Sequence, residues 1–301
     1  MKHTLAILRA LARTALLFCV AVAASSTALA AESTAARHML WSLQGKTNKV
    51  YLLGSFHLLK ATETLPAAMD AAYADAEALL MEIDMDDLDP GKMQQDVMEL
   101  ATQPPGQSLQ QQLGADTYAE FANKVRPLNI DPALLDRFKP WFAAITLVQV
   151  QMMKMGFDPA QGVEMRLTSR ASADKKAIQG LETAREQLEI MARLPDKLQR
   201  EFLLYSVEDA ERMSSELDAL LGAWRRGDAP GMAKLLQEGF DEYPDLYRPL
   251  TVERNRKWIP QIEALLDDQG DYLVVVGALH LVGTDSVIDL LERKGYKVEQ
   301  L

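Results

Sequence analysis

Tyr272-Leu273-Val274-Val275-Val276-Gly277-Ala278-Leu279-His280, near the C-terminus, is an unbroken apolar run that closes on a glycine and delivers a histidine three residues later. A continuous Val/Leu/Tyr run of this length suits a strand buried on both faces, as in a sheet covered by helices. Lys49-Val50-Tyr51-Leu52-Leu53-Gly54-Ser55-Phe56-His57 repeats the plan near the other end of the chain. Glycine at a strand end lets the backbone turn over the sheet edge, and ligands of open α/β sheets collect beyond the carboxyl ends of the strands. Of the four histidines, His3, His38, His57 and His280, the last two stand three residues past such a glycine. Imidazole serves both as a metal ligand and as a proton carrier near neutral pH. One G-x-x-H is a short pattern that an ordinary polar strand exit also produces; the matched pair points to a shared site.

Two further runs carry carboxylates to strand ends. Ala78-Leu79-Leu80-Met81-Glu82-Ile83-Asp84 reads as a buried strand whose only interruption is Glu82, a group costly to bury unless it is paired or bound to metal. Lys176-Ala177-Ile178-Gln179-Gly180-Leu181-Glu182 is a shorter strand pattern ending on Glu182, which a role at the N-terminus of the next helix explains equally well. Between and after these runs the pattern is helical, giving insertions at about 90–160 and 183–268. Asp131-Pro132 is expected to open an amphipathic helix through Trp141, Phe142, Ile145, Val148 and Met152. The closing segment, from Tyr272 to Leu301, reads as strand, helix and short strand, spaced for a right-handed parallel crossover. The fold class is therefore α/β, leaning to α+β: a central mixed sheet built from both chain ends, with large helical insertions.

Several local patterns carry less. Gly45-Lys46-Thr47 sits in a hairpin, not at a strand-to-helix junction, so a phosphate loop is not expected. Asp84, Asp86, Asp87 and Asp89 lack the glycine and terminal glutamate of a calcium loop and read as a solvated turn and helix cap. Met152, Met153 and Met155 read as gap-filling core residues. The run Glu253-Arg254-Asn255-Arg256-Lys257-Trp258, taken alone, reads as a solvated helix face.

Residues 1–30 have the build of a secretory signal peptide: Lys2, Arg9 and Arg13, then an apolar run from Thr14 to Ala24, then Ala28-Leu29-Ala30. Cleavage after Ala30 leaves residues 31–301 as one domain in the periplasm or outside the cell. It removes three basic and no acidic residues, taking the formal charge from −11 to −14, and it removes the only cysteine, Cys19. Thiol and disulfide chemistry are thereby excluded from the mature chain. Strong acidity argues against nucleic acid as a partner, and no later run is long enough for stable membrane insertion.

In order along the chain, L-W-S-L at 40–43, K-V-Y-L-L-G-S-F-H at 49–57, L-L-M-E-I-D at 79–84 and K-P-W at 139–141 make a recognisable series. G-V-E at 162–164, G-L-E-T at 180–183, E-R-N-R-K-W at 253–258 and V-V-V-G-A-L-H-L-V-G at 274–283 continue it. Together they resemble the TraB/GumN family, related to the Tiki-type metalloproteases and more distantly to erythromycin esterases and ChaN-like haem-binding proteins. Ser55 stands where many members have threonine, and Glu164 where aspartate is expected.

The resemblance implies a metal-dependent hydrolase, with manganese or cobalt as the divalent ion and a peptide as substrate. His57, Glu82 and His280 would hold the ion, which would lower the pKa of a bound water. Glu182, or a histidine not engaged with metal, would take the water's proton, and Arg254, beside Asn255, would stabilise the oxyanion or clamp a substrate carboxylate. Two other readings stay open: hydrolysis of a small-molecule ester with His57 as base and no metal, and a non-catalytic peptide- or haem-binding protein. Other hydrolase designs are excluded, since the chain has no H-E-x-x-H, no G-x-S-x-G and no cysteine nucleophile.

Overall fold

The computed structural model describes residues 37–207, 210–240 and 244–301. The expected signal peptide lies outside this range, as does Tyr243 of an expected turn at Tyr243-Pro244. In chain order the sheet and first insertion comprise β1 (Leu40–Gln44), β2 (Lys49–Ser55), α1 (Ala67–Asp75), β3 (Ala78–Met81), α2 (Pro90–Ala101), α3 (Leu109–Leu113), α4 (Ala115–Val125), α5 (Pro140–Lys154) and α6 (Val163–Asp174). There follow β4 (Ile178–Gly180), α7 (Ala184–Ala192), α8 (Asp196–Tyr205), α9 (Ala210–Arg225), α10 (Ala229–Phe240), α11 (Pro244–Tyr247), α12 (Glu253–Leu265), β5 (Tyr272–Gly277), α13 (Val287–Arg293) and β6 (Val298–Gln300).

The six strands form one mixed sheet in the order β4-β3-β5-β2-β1-β6. β5 pairs in parallel with both β2 and β3, β4 is parallel to β3, and β1 is antiparallel to β2 and β6. The sequence pattern explains the centre. Leu273 to Val276 of β5 and Val50, Leu52 and Leu53 of β2 are fully buried, each such side chain contributing about 1.5–3 kcal/mol on leaving water. β1, by contrast, alternates at its open end and joins β2 through the turn at Gly45 to Asn48, where Asn48 Nδ2 ties the hairpin to the Leu265 and Gly270 carbonyls.

Two expectations are corrected and a third is placed. Asp131-Pro132 opens a short 3-10 turn capped by the Asp131 carboxylate, and the long apolar helix starts only at Pro140, where proline's missing N–H costs nothing. β3 stops at Met81, so Glu82 follows the strand and does not interrupt it. β6 runs parallel to β5 in the same sheet, as the expected crossover requires, but with two strands between them: both edges of β5 are occupied by β2 and β3, and the chain carries β6 past β2 and β1 to pair with β1.

The paired G-x-x-H motifs differ in register. Ser55, not Gly54, lies opposite Gly277. Gly54 is inside its strand, where a methyl group would meet the Ala278 Cα at 3.0 Å and the Met39 Cβ at 3.3 Å. Its carbonyl accepts a 2.7 Å hydrogen bond from the buried Trp224 Nε1. Gly277 has an ordinary backbone conformation (φ −50°, ψ 133°), so what it supplies is space, not a bend.

Candidate functional site

The parallel strands β4, β3, β5 and β2 end at one edge of the sheet, and four side chains leave from there. His57 lies two residues past β2, Glu82 directly after β3, Glu182 two past β4, and His280 in the 3-10 turn Ala278–Leu281 after β5. Backbone pairing continues beyond the strands, Leu181 N–H to the Met81 carbonyl and Glu182 N–H to that of Glu82, so the two glutamates emerge side by side. A methyl group on Gly277 would lie 3.3 Å from Glu82 Oε1, 3.6 Å from His280 Cδ2 and 3.9 Å from His57 Nε2. Three of the expected site residues thus converge on one glycine.

Arg254 fills the middle of the cluster. A π-turn at Arg248–Val252 precedes α12 and sets the face that α12 turns inward. Arg254 Nη2 donates to Glu82 Oε2 at 2.5 Å, Nη2 and Nε donate to Glu182 Oε1, and Nη1 lies 3.0 Å from His280 Nε2. Gln187 Nε2 braces both carboxylates, at 3.0 Å from Glu82 and 2.8 Å from Glu182. The charge run is therefore not one solvated face: Arg254, Asn255 and Trp258 point in, while Arg256 and Lys257 make exposed ion pairs. The Trp258 ring lies 4.6 Å from that of His280 and 4.8 Å from the Arg254 guanidinium.

Each imidazole has its Nδ1 tied. Asn255 Nδ2 donates to the Asp285 carbonyl at 2.9 Å, which leaves Oδ1 to accept from His280 Nδ1 at 2.6 Å. His280 is then the Nδ1–H tautomer with a bare Nε2, which accepts from Arg254. Burial first, then the Arg254 charge, pull its pKa down to about 3 against the opposing pull of Glu82, so it is neutral. His57 is the opposite case. Its Nδ1 lies 2.7 Å from Glu164 Oε1, which also accepts from Ser55 Oγ. Burial opposes its charge, but the Glu164 charge and hydrogen bond, with help from Glu82, win and raise its pKa to about 9. Burial also opposes ionisation of Glu82; Arg254 and the Gly277 N–H, 2.7 Å from Oε1, outweigh it and hold the carboxyl well below the usual range.

Glu164, Ser55 and Gln187 were not expected in the site. Glu164 stood in the G-V-E motif of the resemblance without a role assigned to it, and nothing in its spacing from His57 announced their contact. Gly162 makes that contact possible, since its Cα lies against the His57 backbone.

Two cavities open on the cluster and share His57, Glu82, Ile83, Ile145 and Gln187. One, about 280 Å³, continues among Trp141, Leu188, Met191 and Phe202; the other, about 340 Å³, runs among Met85, Val148, Met152 and Met165. Glu182 faces neither; with Arg254 it lines an outer charged recess beside Arg193 and Lys257.

A divalent ion shared by His57, Glu82 and His280 can be tested against these donors. The single lone pair of His280 Nε2 is taken by Arg254, Glu82 Oε2 by Arg254 and Gln187, and Glu82 Oε1 by Gly277. Among the described residues no three His, Cys, Asp or Glu side chains stand in a metal-holding group. As arranged, the set does not fit the ion, because a guanidinium holds the His280 lone pair and occupies Glu82 Oε2.

Among known proteins, the chain is similar to YbaP of Escherichia coli K12 and of Shigella flexneri, both described only as uncharacterized, at 25% identity over 245 residues, 80% of this chain and 87% of each relative. No solved structure gives a significant match. The sequence profile of the TraB/PrgY/gumN family matches residues 39–300, from the first strand of the sheet to the last. The order of the motifs, and the single edge at which they meet, are thereby accounted for: the chain belongs to the TraB/PrgY/gumN family.

Proposed function

We propose that this chain is a hydrolase of peptide or ester carbonyls that works from the His57–Glu164 pair, with the Arg254 charge beside the oxyanion. The observation that carries the reading is the convergence of His57 Nε2, Glu82 Oε1 and His280 on Gly277, where two substrate-sized cavities meet. Neutral His57, its Nδ1–H held by Glu164, takes a proton from water at Nε2 while the water oxygen attacks the carbonyl carbon. The oxyanion is stabilised by the charge of Arg254, whose N–H groups Glu82, Glu182, His280 and the Leu250 carbonyl hold in place. The imidazolium then returns the proton to the leaving nitrogen or oxygen as the carbonyl reforms. In this division Glu182 positions Arg254 and does not meet the substrate. Asn255 fixes the tautomer of His280.

A metal-dependent version, with manganese or cobalt, is favoured by one observation: both imidazoles have Nδ1 held by an acceptor, as metal-binding histidines do. It requires Arg254 to withdraw from His280. An exported location, inferred from the leader, makes extracytoplasmic peptides the first substrates to try. The test is a screen of fluorogenic peptides and esters with the purified protein, with and without chelator, beside His57→Gln. Turnover that survives the chelator and is lost in His57→Gln supports the metal-free reading. Turnover restored only by added manganese or cobalt supports the metal version. Peptide or haem binding with no turnover at all would leave a binding protein.

A further inference from the structure

Gln187 braces both site carboxylates and also borders both cavities. Those two bonds fix which way its amide faces. Nε2 is the donor of a glutamine side chain, and it donates to Glu82 Oε2 at 3.0 Å and to Glu182 Oε1 at 2.8 Å, so both of its protons are spent. The other end, Oε1, accepts from no group among the described residues, and it is not sealed from solvent. Gln187 does not border the outer charged recess, so the open face of Oε1 is the face toward the two cavities. An amide oxygen with unused lone pairs at that junction calls for a donor on the ligand.

The arms on either side narrow the ligand. The polar side chains His57, Glu82 and Gln187 lie where the cavities meet. Beyond that junction Trp141, Leu188 and Phe202 wall one arm, and Val148, Met152 and Met165 wall the other. A ligand that fills both therefore has an apolar group at each end and a hydrogen-bond donor between them. A peptide unit flanked by two apolar residues has this pattern. An ester has an oxygen where the N–H stands, which would set two acceptors face to face. His57 lies at the same junction, so the unit held there is the one presented to the attacking water.

We propose that Gln187 is a specificity-determining residue whose Oε1 accepts the N–H of a peptide unit, the two flanking apolar side chains occupying the two cavities. The inference rests on the hydrolase reading and deepens it, choosing amide over ester and assigning an apolar residue to each side of the bond.

Fluorescence titration at pH 6, where His57 holds its proton and the probes are not consumed, compares N-acetyl-leucyl-phenylalaninamide with the depsipeptide in which oxygen replaces the phenylalanine N–H. The peptide is expected to bind about tenfold tighter, the scale of one hydrogen bond exchanged for two opposed acceptors. Gln187→Lys keeps a donor toward both carboxylates but has no acceptor, so it should bind the two probes alike. N-acetyl-serylserinamide, which keeps the N–H groups and lacks the apolar ones, should bind about tenfold more weakly than the leucyl peptide. Equal binding of peptide and depsipeptide by the wild-type protein overturns the proposal, whether or not Gln187→Lys folds. So does a preference that persists in a folded Gln187→Lys, or a serine probe that binds as tightly as the leucyl one. Turnover is not the readout, so the two readings fail separately. Peptide preference in a protein that hydrolyses nothing at any pH defeats the hydrolase reading alone; hydrolysis indifferent to the N–H defeats this inference alone.

Discussion

Replacing Gly162 by alanine is the sharpest perturbation the geometry offers. The glycine has φ −57°, a conformation open to any residue, so its backbone is not the reason for its presence. Space is. A methyl group there would overlap the His57 carbonyl oxygen and lie 2.5 Å from the His57 carbonyl carbon and 3.1 Å from its Cα. Ordinary carbon contacts need about 3.5 Å or more, so the His57 loop or the start of α6 must retreat by roughly 1 Å. Both ends of the 2.7 Å His57–Glu164 contact lie on those two segments, as does the 2.9 Å bond from Val163 N–H to the Phe56 carbonyl. A displacement of this size is expected to cost about 1–3 kcal/mol of stability and about 100-fold in turnover. Gly156→Ala is the control, because nothing lies within 4 Å of the added methyl but φ is +86°. It should cost about 1 kcal/mol and leave turnover intact. Thermal melts and steady-state rates on the same preparations separate the two. If Gly162→Ala melts and turns over like the wild type, the claimed coupling between α6 and the His57 loop is wrong.

Further outcomes follow from the same contacts. Turnover should climb with pH, reach half its plateau near 9 and level off above it, as His57 gives up the Nε2 proton that the Glu164 charge favours; a profile flat from 6 to 10 would remove His57 as the base. Stability should move the other way. A histidine raised from 6.5 to about 9 gives its full contribution below 6.5 and loses it as pH rises through about 9, so the gap in melting temperature between wild type and His57→Gln should shrink over that window. Arg254→Met leaves Glu82 and Glu182 buried without their cation and should cost about 3–5 kcal/mol, read by denaturant titration; an unchanged midpoint would mean the two carboxylates have other partners. Trp224→Phe removes the donor to the buried Gly54 carbonyl and should cost about 1–3 kcal/mol with little effect on the pH profile, measured by melt and rate together.

The strands were legible because their signal is local. Five of the six announce themselves by apolar runs bounded by glycine or turn residues, and the exits after β2, β3, β4 and β5 carry the side chains that meet. Register was not legible. Nothing in two G-x-x-H motifs says that Gly54 lies one step inside its strand while Gly277 ends one, because pairing is decided by packing against Met39, Ala278 and Trp224. Partners were harder still. That Arg254 would take the lone pair of His280 depends on a π-turn six residues upstream at its start, and helical spacing alone gave that run to solvent. Glu164 stood in a motif, but its contact could not be read: its partner is more than 100 residues away, brought near by a contact through a glycine.

The place of β5 has a consequence for how the molecule comes into being. β2 and β3 never touch as neighbours; the slot between them stays vacant until residues 272–277 are available. A nascent polypeptide must therefore present two unsatisfied ladders until residues 272–277 have emerged. The sheet accordingly closes in one late step, so a stop codon ahead of Tyr272 would leave an aggregation-prone fragment and not a weakened fold.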